Sequence, residues 1–160
     1  MKRGSTHFLR FVIVVFGMMV LALSLFGLPN AYHGAAAEFP YAARDVHTII
    51  FILYATTIPF FFALWQTLKL LRYIDQNAAF SISSVRALHM INYCAIAISL
   101  LYFACLPFLF PIADGDDAPG LLIIGGMVAC APLVIAVFAT VLARLLQNAI
   151  DIKSENDLTV

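Results

Sequence analysis

Charged residues are scarce in this chain: they make up 11 % of its 160 residues, whereas hydrophobic residues make up 63 %. The mean hydropathy is correspondingly high, at +0.97. A soluble domain of this size needs many more polar side chains to cover its surface. The composition therefore excludes an ordinary soluble domain and predicts a protein that lies within a membrane.

The sequence also lacks the motifs that specify a reaction. It has no Gly-rich phosphate loop, nucleophile elbow, HExxH motif or DNA-reading module. Cys94, Cys105 and Cys130 lie inside apolar runs without CxxC or histidine spacing, so we expect reduced core residues. We therefore expect a non-enzyme with no catalytic residue, metal or cofactor, and no direct binding to nucleic acid.

Four apolar runs are each long enough to cross a hydrocarbon core about 30 Å thick. They cover about 8–28, 47–71, 88–111 and 120–146, and a tail follows over 147–160. Stretches within them, such as 11–16 and 58–62, are continuously apolar, which excludes the alternating pattern of a membrane β-barrel. The first run is too long for a typical signal peptide. The sequence predicts one all-α domain over 1–160, an integral membrane four-helix bundle in contact with the lipid bilayer.

Basic residues are distributed unevenly between the two sides of this predicted bundle. Eight of the nine lie on the side of the termini, and Arg44 alone lies on the other. Because positively charged connections usually stay in the cytoplasm, we expect both termini to be cytoplasmic. The connections at about 29–46 and 112–119 are then outside, where the acidic residues of 114–117 make the surface negative.

Few polar groups interrupt the spans, and no Asp, Glu, Lys or Arg lies near a span centre, which weighs against an ion-coupled pump. Gln66 in the second span and Asn92 in the third lie at similar depth in antiparallel neighbours. We expect their amides to contact each other or a common polar partner. The pair is typical of interhelical stabilisation, and the alternative is a polar ligand site near the inner surface.

Two prolines, Pro59 and Pro132, each lie about halfway along a span. A proline removes a backbone N–H group and crowds the carbonyl four residues earlier, so both helices should bend at similar depth. We expect Thr56 and Thr57 to satisfy the freed carbonyls of the second span. The bends serve either ordinary packing or a small cavity in the middle of the membrane.

The helical spacing of apolar residues in the fourth span continues into the tail, through Leu142, Leu145, Leu146, Ala149 and then either Ile152 or Ile150. This spacing predicts a stalk of two or three turns that projects into the cytoplasm. The candidate partner-binding residues of the stalk are Ile150, Asp151, Lys153, Glu155, Asn156, Asp157 and Leu158. The alternative is an ordinary frayed terminus.

The pair Phe80-Ser81 after a short inner turn, the fourth span and the ending 149–160 resemble the bacterial four-helix membrane proteins of domain-of-unknown-function family 2975. The resemblance covers nearly the whole chain, and Glu155-Asn156-Asp157-Leu158-Thr159 is its most specific element. It implies a bacterial inner-membrane location. Members are often encoded beside a small helix-turn-helix repressor-like protein, so it also implies a role in controlling that regulator.

Three hypotheses of function follow. The first is a regulatory protein that binds a cytoplasmic partner, such as a small helix-turn-helix transcription regulator, through its inner surface. The second is a small-ligand or peptide handling protein, a transport, resistance or immunity component that uses the kinked interior between the second and fourth spans. The third is a structural subunit of a larger complex or of a homo-oligomer, which predicts an exposed helix face of small residues.

Overall fold

The computed structural model describes residues 3–76 and 78–158 and consists of four long helical segments. The first segment joins α1 (Arg3–Ala22), a π-helical turn (Leu23–Gly27) and α2 (Leu28–Glu38). A 3₁₀ turn (Pro40–Ala42) leads to α3 (Ala43–Asp75), which is followed by α4 (Ile82–Gly115) and α5 (Gly120–Leu158). All four segments are long and apolar enough to span a membrane. The predicted all-α membrane class is confirmed.

The helices extend well beyond the apolar runs of the sequence. At 1.5 Å per residue, the 34 residues of α4 and the 39 of α5 span about 51 and 58 Å, against about 30 Å of hydrocarbon. The connection expected over 29–46 is itself largely helical, because α2 continues the first segment to Glu38. Likewise, α4 passes through Pro107 and Pro111 and ends only at Gly115.

The bundle has α4 as its central helix, packed against both α3 and α5. By contrast, α1 packs sparsely, and mainly on α3. Neither α1 and α5 nor α3 and α5 share an extensive interface within the described residues. The four segments therefore form an open arrangement in which lipid or another protein must cover the outer faces of α1 and α5.

Small residues build the interface between α4 and α5. Four alanines of α5, spaced three, four or seven positions apart, are at most 7 % exposed: Ala129, Ala136, Ala139 and Ala143. Small side chains let two helix backbones approach closely within a membrane. At Gly125 the approach is so close that an added Cβ atom would lie 3.0 Å from the side chains of Leu106 and Leu109. Because α4 covers this stripe, it is not available to another subunit.

The antiparallel helices bring most basic side chains to one end of the bundle, which we call the basic end: Arg10, Lys69, Arg72, Arg86, Arg144 and Lys153. At this end the Arg10 guanidinium donates to the Asp75 carboxylate at 3.1 Å and joins α1 to α3. Ser81 caps α4, since its Oγ accepts the Ser84 N–H group at 3.3 Å.

A hydrophobic cluster fixes each end of the bundle. At the basic end Val85 and Leu88 of α4 pack with Ala143 of α5, and we call these three residues the basic-end cluster. The opposite end has its own cluster of Ala42, Val46 and Ile112. The two chain connections at that end also touch, because the ring of Tyr41 occupies the space that a side chain at position 115 would need.

The cysteines do not share one environment. Cys94 and Cys105 on α4 are buried, and their predicted core position is confirmed. The prediction is wrong for Cys130, which is exposed. The physical reason is its position around the axis of α5. Ala129 faces α4, so the side chain of the next residue points away from α4.

Candidate functional site

The last part of α5 extends past the start of α4 at the basic end. Ile150 packs against the basic-end cluster, and the helix then continues to Leu158, about 12 Å further. Every residue from Asp151 to Asn156 is exposed. We call residues 151–158 the stalk.

The apolar residues predicted to form one stripe along α5 divide between two faces. Leu146 and Ile150 pack against the basic-end cluster. Leu142 and Leu145 are 52 % and 60 % exposed, and Ile152 is 67 % exposed. Ile150 therefore contributes to packing within the bundle, whereas Ile152 is an exposed apolar side chain of the stalk.

Local hydrogen bonds order the polar side chains around Ile152. The Gln147 amide donates to the Asp151 carboxylate at 2.9 Å, and the Ser154 hydroxyl donates to the Asp151 carbonyl at 2.8 Å. The other candidate residues Lys153, Glu155 and Asn156 are exposed, whereas the side chains of Asp157 and Leu158 lie outside the described residues. The described side chains of the stalk thus present charged and amide groups around Ile152.

Gln66 and Asn92 lie in different surroundings. Gln66 is 8 % exposed on α3, whereas Asn92 is half-buried on the face of α4 that carries Leu88 and Ala95. Among the side-chain hydrogen bonds of the described residues, none joins the two amides. Their contact, or a shared polar partner, stays a prediction.

Replacing Gln66 or Asn92 with leucine should change the free energy of unfolding by at most about 2 kcal/mol, because polar contacts between membrane helices are weak. The measurement is equilibrium unfolding in mixed micelles titrated with a denaturing detergent. The double variant tests the pair directly, since contacting residues show a coupling of about 0.5 kcal/mol or more. Additive effects of the two substitutions would contradict a direct contact.

The structure instead joins α4 and α5 through Ser99. Its hydroxyl donates to the Ala129 carbonyl at 2.7 Å, and both residues are 0 % exposed. Sequence reasoning missed this contact because a serine in an apolar run most often bonds within its own helix. The only hint was spacing: Ser99 follows Asn92 by seven positions and therefore lies on the same face of α4.

The helices that contain Pro59 and Pro132 continue through both prolines. Thr56 and Thr57 donate to the Leu53 carbonyl at 2.7 and 3.2 Å. The expectation that they satisfy the carbonyl freed by Pro59 is wrong, because that carbonyl belongs to Ala55. A helical hydroxyl reaches back three or four residues, and Ala55 is too close in sequence to be reached.

A cavity of about 360 Å³ lies between α1 and α3, with two residues of α4 in its wall. Hydroxyl groups line part of it: Ser24, Thr56, Thr57 and Tyr102. Ser24 lies in the π-helical turn and donates to the Leu21 carbonyl at 2.9 Å. Within the described residues, the kinked interior predicted between the second and fourth spans, α3 and α5, is not found. The reason is that α4 lies between these two helices. Pro132 lies on the same side of α5 as the buried alanines that face α4.

Comparison with known proteins agrees with a membrane protein. The chain is 51 % identical over 160 residues to the uncharacterised membrane protein YoaS of Bacillus subtilis (strain 168), and the alignment covers the whole of both chains. No solved structure matches the chain. The family DUF2975, described as a protein of unknown function, matches residues 30–160, which include the ending that carried the sequence resemblance. The chain therefore belongs to the DUF2975 family of membrane proteins.

Proposed function

We propose that the protein is a non-enzymatic regulatory protein of the bacterial inner membrane, and that its stalk binds a cytoplasmic partner. The observation that carries this proposal is the exposed continuation of α5 beyond the basic-end cluster. Ile152 lies there with 67 % of its surface exposed and charged groups on either side. A partner helix or groove that covers Ile152 would bury this apolar side chain.

The charges of the stalk also favour a binding role over a purely structural one. Asp151, Glu155 and Asp157 lie near the C-terminal end of α5, and the region carries one lysine, Lys153. Carboxylates at this end are unfavourable, because the helix dipole places negative partial charge there. A basic protein surface that approached the stalk would offset this unfavourable interaction by charge complementarity.

A small helix-turn-helix regulator fits this chemistry, and it is the partner that the family resemblance given above implies. Its DNA-binding surface is basic, since it must neutralise phosphates. A stalk that occupied that surface would compete with DNA for it. The protein would then hold the regulator at the membrane until a change in the bundle releases it.

Truncation after Ile150 tests this proposal, because it removes the stalk and keeps the side chain that packs on the basic-end cluster. The truncated protein should insert and fold, but it should no longer retain a small helix-turn-helix regulator that co-purifies with the full-length protein. Ile152→Ser should weaken co-purification, with Asn148→Ser as a control at another exposed position of α5. Full recovery of the regulator with a folded, truncated protein would contradict the stalk as its docking site.

The proposal requires the basic end to face the cytoplasm, as the positive-inside tendency predicts. In a variant whose three native cysteines are replaced by alanine, Asp116→Cys should react with an impermeant maleimide from outside intact cells. Lys153→Cys should react only after the membrane is opened. Both positions are exposed in the structure, so an absent signal reflects membrane sidedness. The reversed labelling pattern would overturn the orientation.

A further inference from the structure

A groove runs between α1 and α3, where the packing of the bundle is sparse. Its apolar part has a volume of about 290 Å³ and is lined by side chains of both helices, including Val14, Met18, Phe61 and Leu64. Gly17 lies in its wall, and an added Cβ atom there would meet only ordinary contacts, 3.7 Å to Leu64 and 3.8 Å to Phe61. This part of the groove is therefore apolar and has free space along the surface of the protein that faces lipid. We call it the apolar channel of the groove.

The same groove becomes basic where it reaches the basic end. A second volume of about 310 Å³ is lined by Arg10, Lys69 and Arg72. Three residues line both parts and make the groove continuous: Val14, Trp65 and Leu68. An apolar channel therefore opens directly into a cluster of three cationic side chains.

The protein neutralises only part of this positive charge. Arg10 pairs with Asp75, as described above. The Lys69 ammonium lies 3.9 Å from the centre of the Trp65 ring, which has no net charge that could neutralise it. Within the described residues, neither Lys69 nor Arg72 forms an ion pair. Two uncompensated positive charges thus remain at the mouth of the apolar channel.

We propose that this groove is a binding site for an anionic phospholipid. The phosphate lies between Lys69 and Arg72, near Arg10, and one acyl chain lies along the channel past Gly17. Basic pockets between membrane helices bind anionic headgroups, and a tryptophan is typical of the depth at which headgroup and chain meet. A free phosphate ion would satisfy the basic part alone and leave the apolar part without an occupant. A phospholipid matches both.

Trp65 provides a direct test, because it is the single tryptophan of the chain and lines both parts of the groove. The full protein is reconstituted in phosphatidylcholine vesicles, and phosphatidylglycerol or phosphatidylcholine with brominated acyl chains is added. Bromine quenches tryptophan fluorescence at short range. Brominated phosphatidylglycerol should quench Trp65 half-maximally at a mole fraction about threefold or more below that of brominated phosphatidylcholine, because each basic side chain favours the anionic headgroup.

The double variant Lys69→Gln with Arg72→Gln should lose this preference, so that both brominated lipids quench equally. Arg86→Gln is the matched control, because Arg86 is exposed at the same end but lies on α4, outside the groove. Gly17→Leu should reduce quenching by filling the channel. Gly126→Leu on α5 is its control, because a Cβ atom added at Gly126 would meet no atom of another element within 4 Å.

Several results would overturn the proposal. The first is an unchanged phosphatidylglycerol preference in the Lys69 and Arg72 double variant. The second is competition by inorganic phosphate, which would identify a phosphate site instead. The third is an absence of quenching by either brominated lipid, which would show that protein, such as a second copy of this chain, covers the groove.

Discussion

Replacing Ala143 with leucine should lower the free energy of unfolding by about 3 kcal/mol, the upper part of the usual range for overpacking a core. Ala143 is 1 % exposed and lies in the basic-end cluster between Val85 and Leu88. The larger side chain has no space there unless α4 and α5 move apart. That movement would also weaken the contacts of the other buried alanines of α5.

Unfolding of the full protein in mixed micelles, titrated with a denaturing detergent, measures this effect. Ala131→Leu is the matched control, because it is the same substitution on the same helix at an exposed position. A leucine directed towards lipid is accommodated without a change in packing, so the control should unfold like the parent protein. Equal destabilisation by both substitutions would show that the α4–α5 contact is not the tight interface described.

Replacing Ser99 with leucine should have an effect of similar size, about 3 kcal/mol, while Ser99→Ala should cost only about 1 kcal/mol. The alanine variant removes the hydrogen bond to the Ala129 carbonyl and leaves the helices at the same distance. The leucine variant removes the same bond and adds volume at a site that is 0 % exposed. The difference in unfolding free energy between the two variants therefore measures the cost of the added volume, separately from the loss of the hydrogen bond.

The same detergent titration compares the two Ser99 variants. Leu100→Ala provides a reference on α4, because Leu100 is 63 % exposed and its truncation leaves the interface unchanged. If Ser99→Ala proves as destabilising as Ser99→Leu, the hydrogen bond and not the close packing is the main contribution of Ser99. That outcome would contradict the packing argument for Ser99.

These two sites show why small residues matter more here than large ones. Many large apolar side chains of the protein are exposed, including Phe11, Phe51 and Phe138 at 67 %, 70 % and 70 %. In lipid such exposure carries no hydrophobic cost, so burial of a phenylalanine gives little net stabilisation. Helix association depends instead on close van der Waals contact and a few hydrogen bonds. Alanine, glycine and serine positions therefore control the packing of α4 against α5.

The two proposed binding sites lie at the same end of the bundle but on different helices. The stalk is the last part of α5, whereas the lipid groove lies between α1 and α3. Truncation after Ile150 should therefore leave the phosphatidylglycerol preference of Trp65 unchanged. The groove substitutions likewise remove no side chain from the stalk, so either proposal can fail without the other.

The stalk and the polar residues of the spans show how far sequence reasoning reached for the candidate sites. Helical periodicity predicted that α5 continues past the membrane, but it placed Ile150 and Ile152 together as binding residues. Only the packing of α4 against α5 shows that Ile150 belongs to the bundle and Ile152 does not. Similarly, equal depth suggested Gln66 and Asn92 as a pair, while the hydrogen bond between helices α4 and α5 belongs to Ser99. Depth along a helix is readable from sequence, whereas rotation about its axis depends on its neighbours.

The sequence by itself determined the class, the number of spans and the grouping of basic residues, because these depend on properties of single segments. A run of about 20 apolar residues forms a helix in lipid whatever surrounds it, since every backbone polar group must be satisfied internally. Only the tertiary structure decided that α4 is central, that α3 and α5 lie on either side of it and that a groove opens beside α1. The physical reason is that lipid is as apolar as the helices, so hydropathy cannot distinguish a lipid-facing side from a packed one. That choice depends on which small residues meet across an interface, and it is made only when the helices come together.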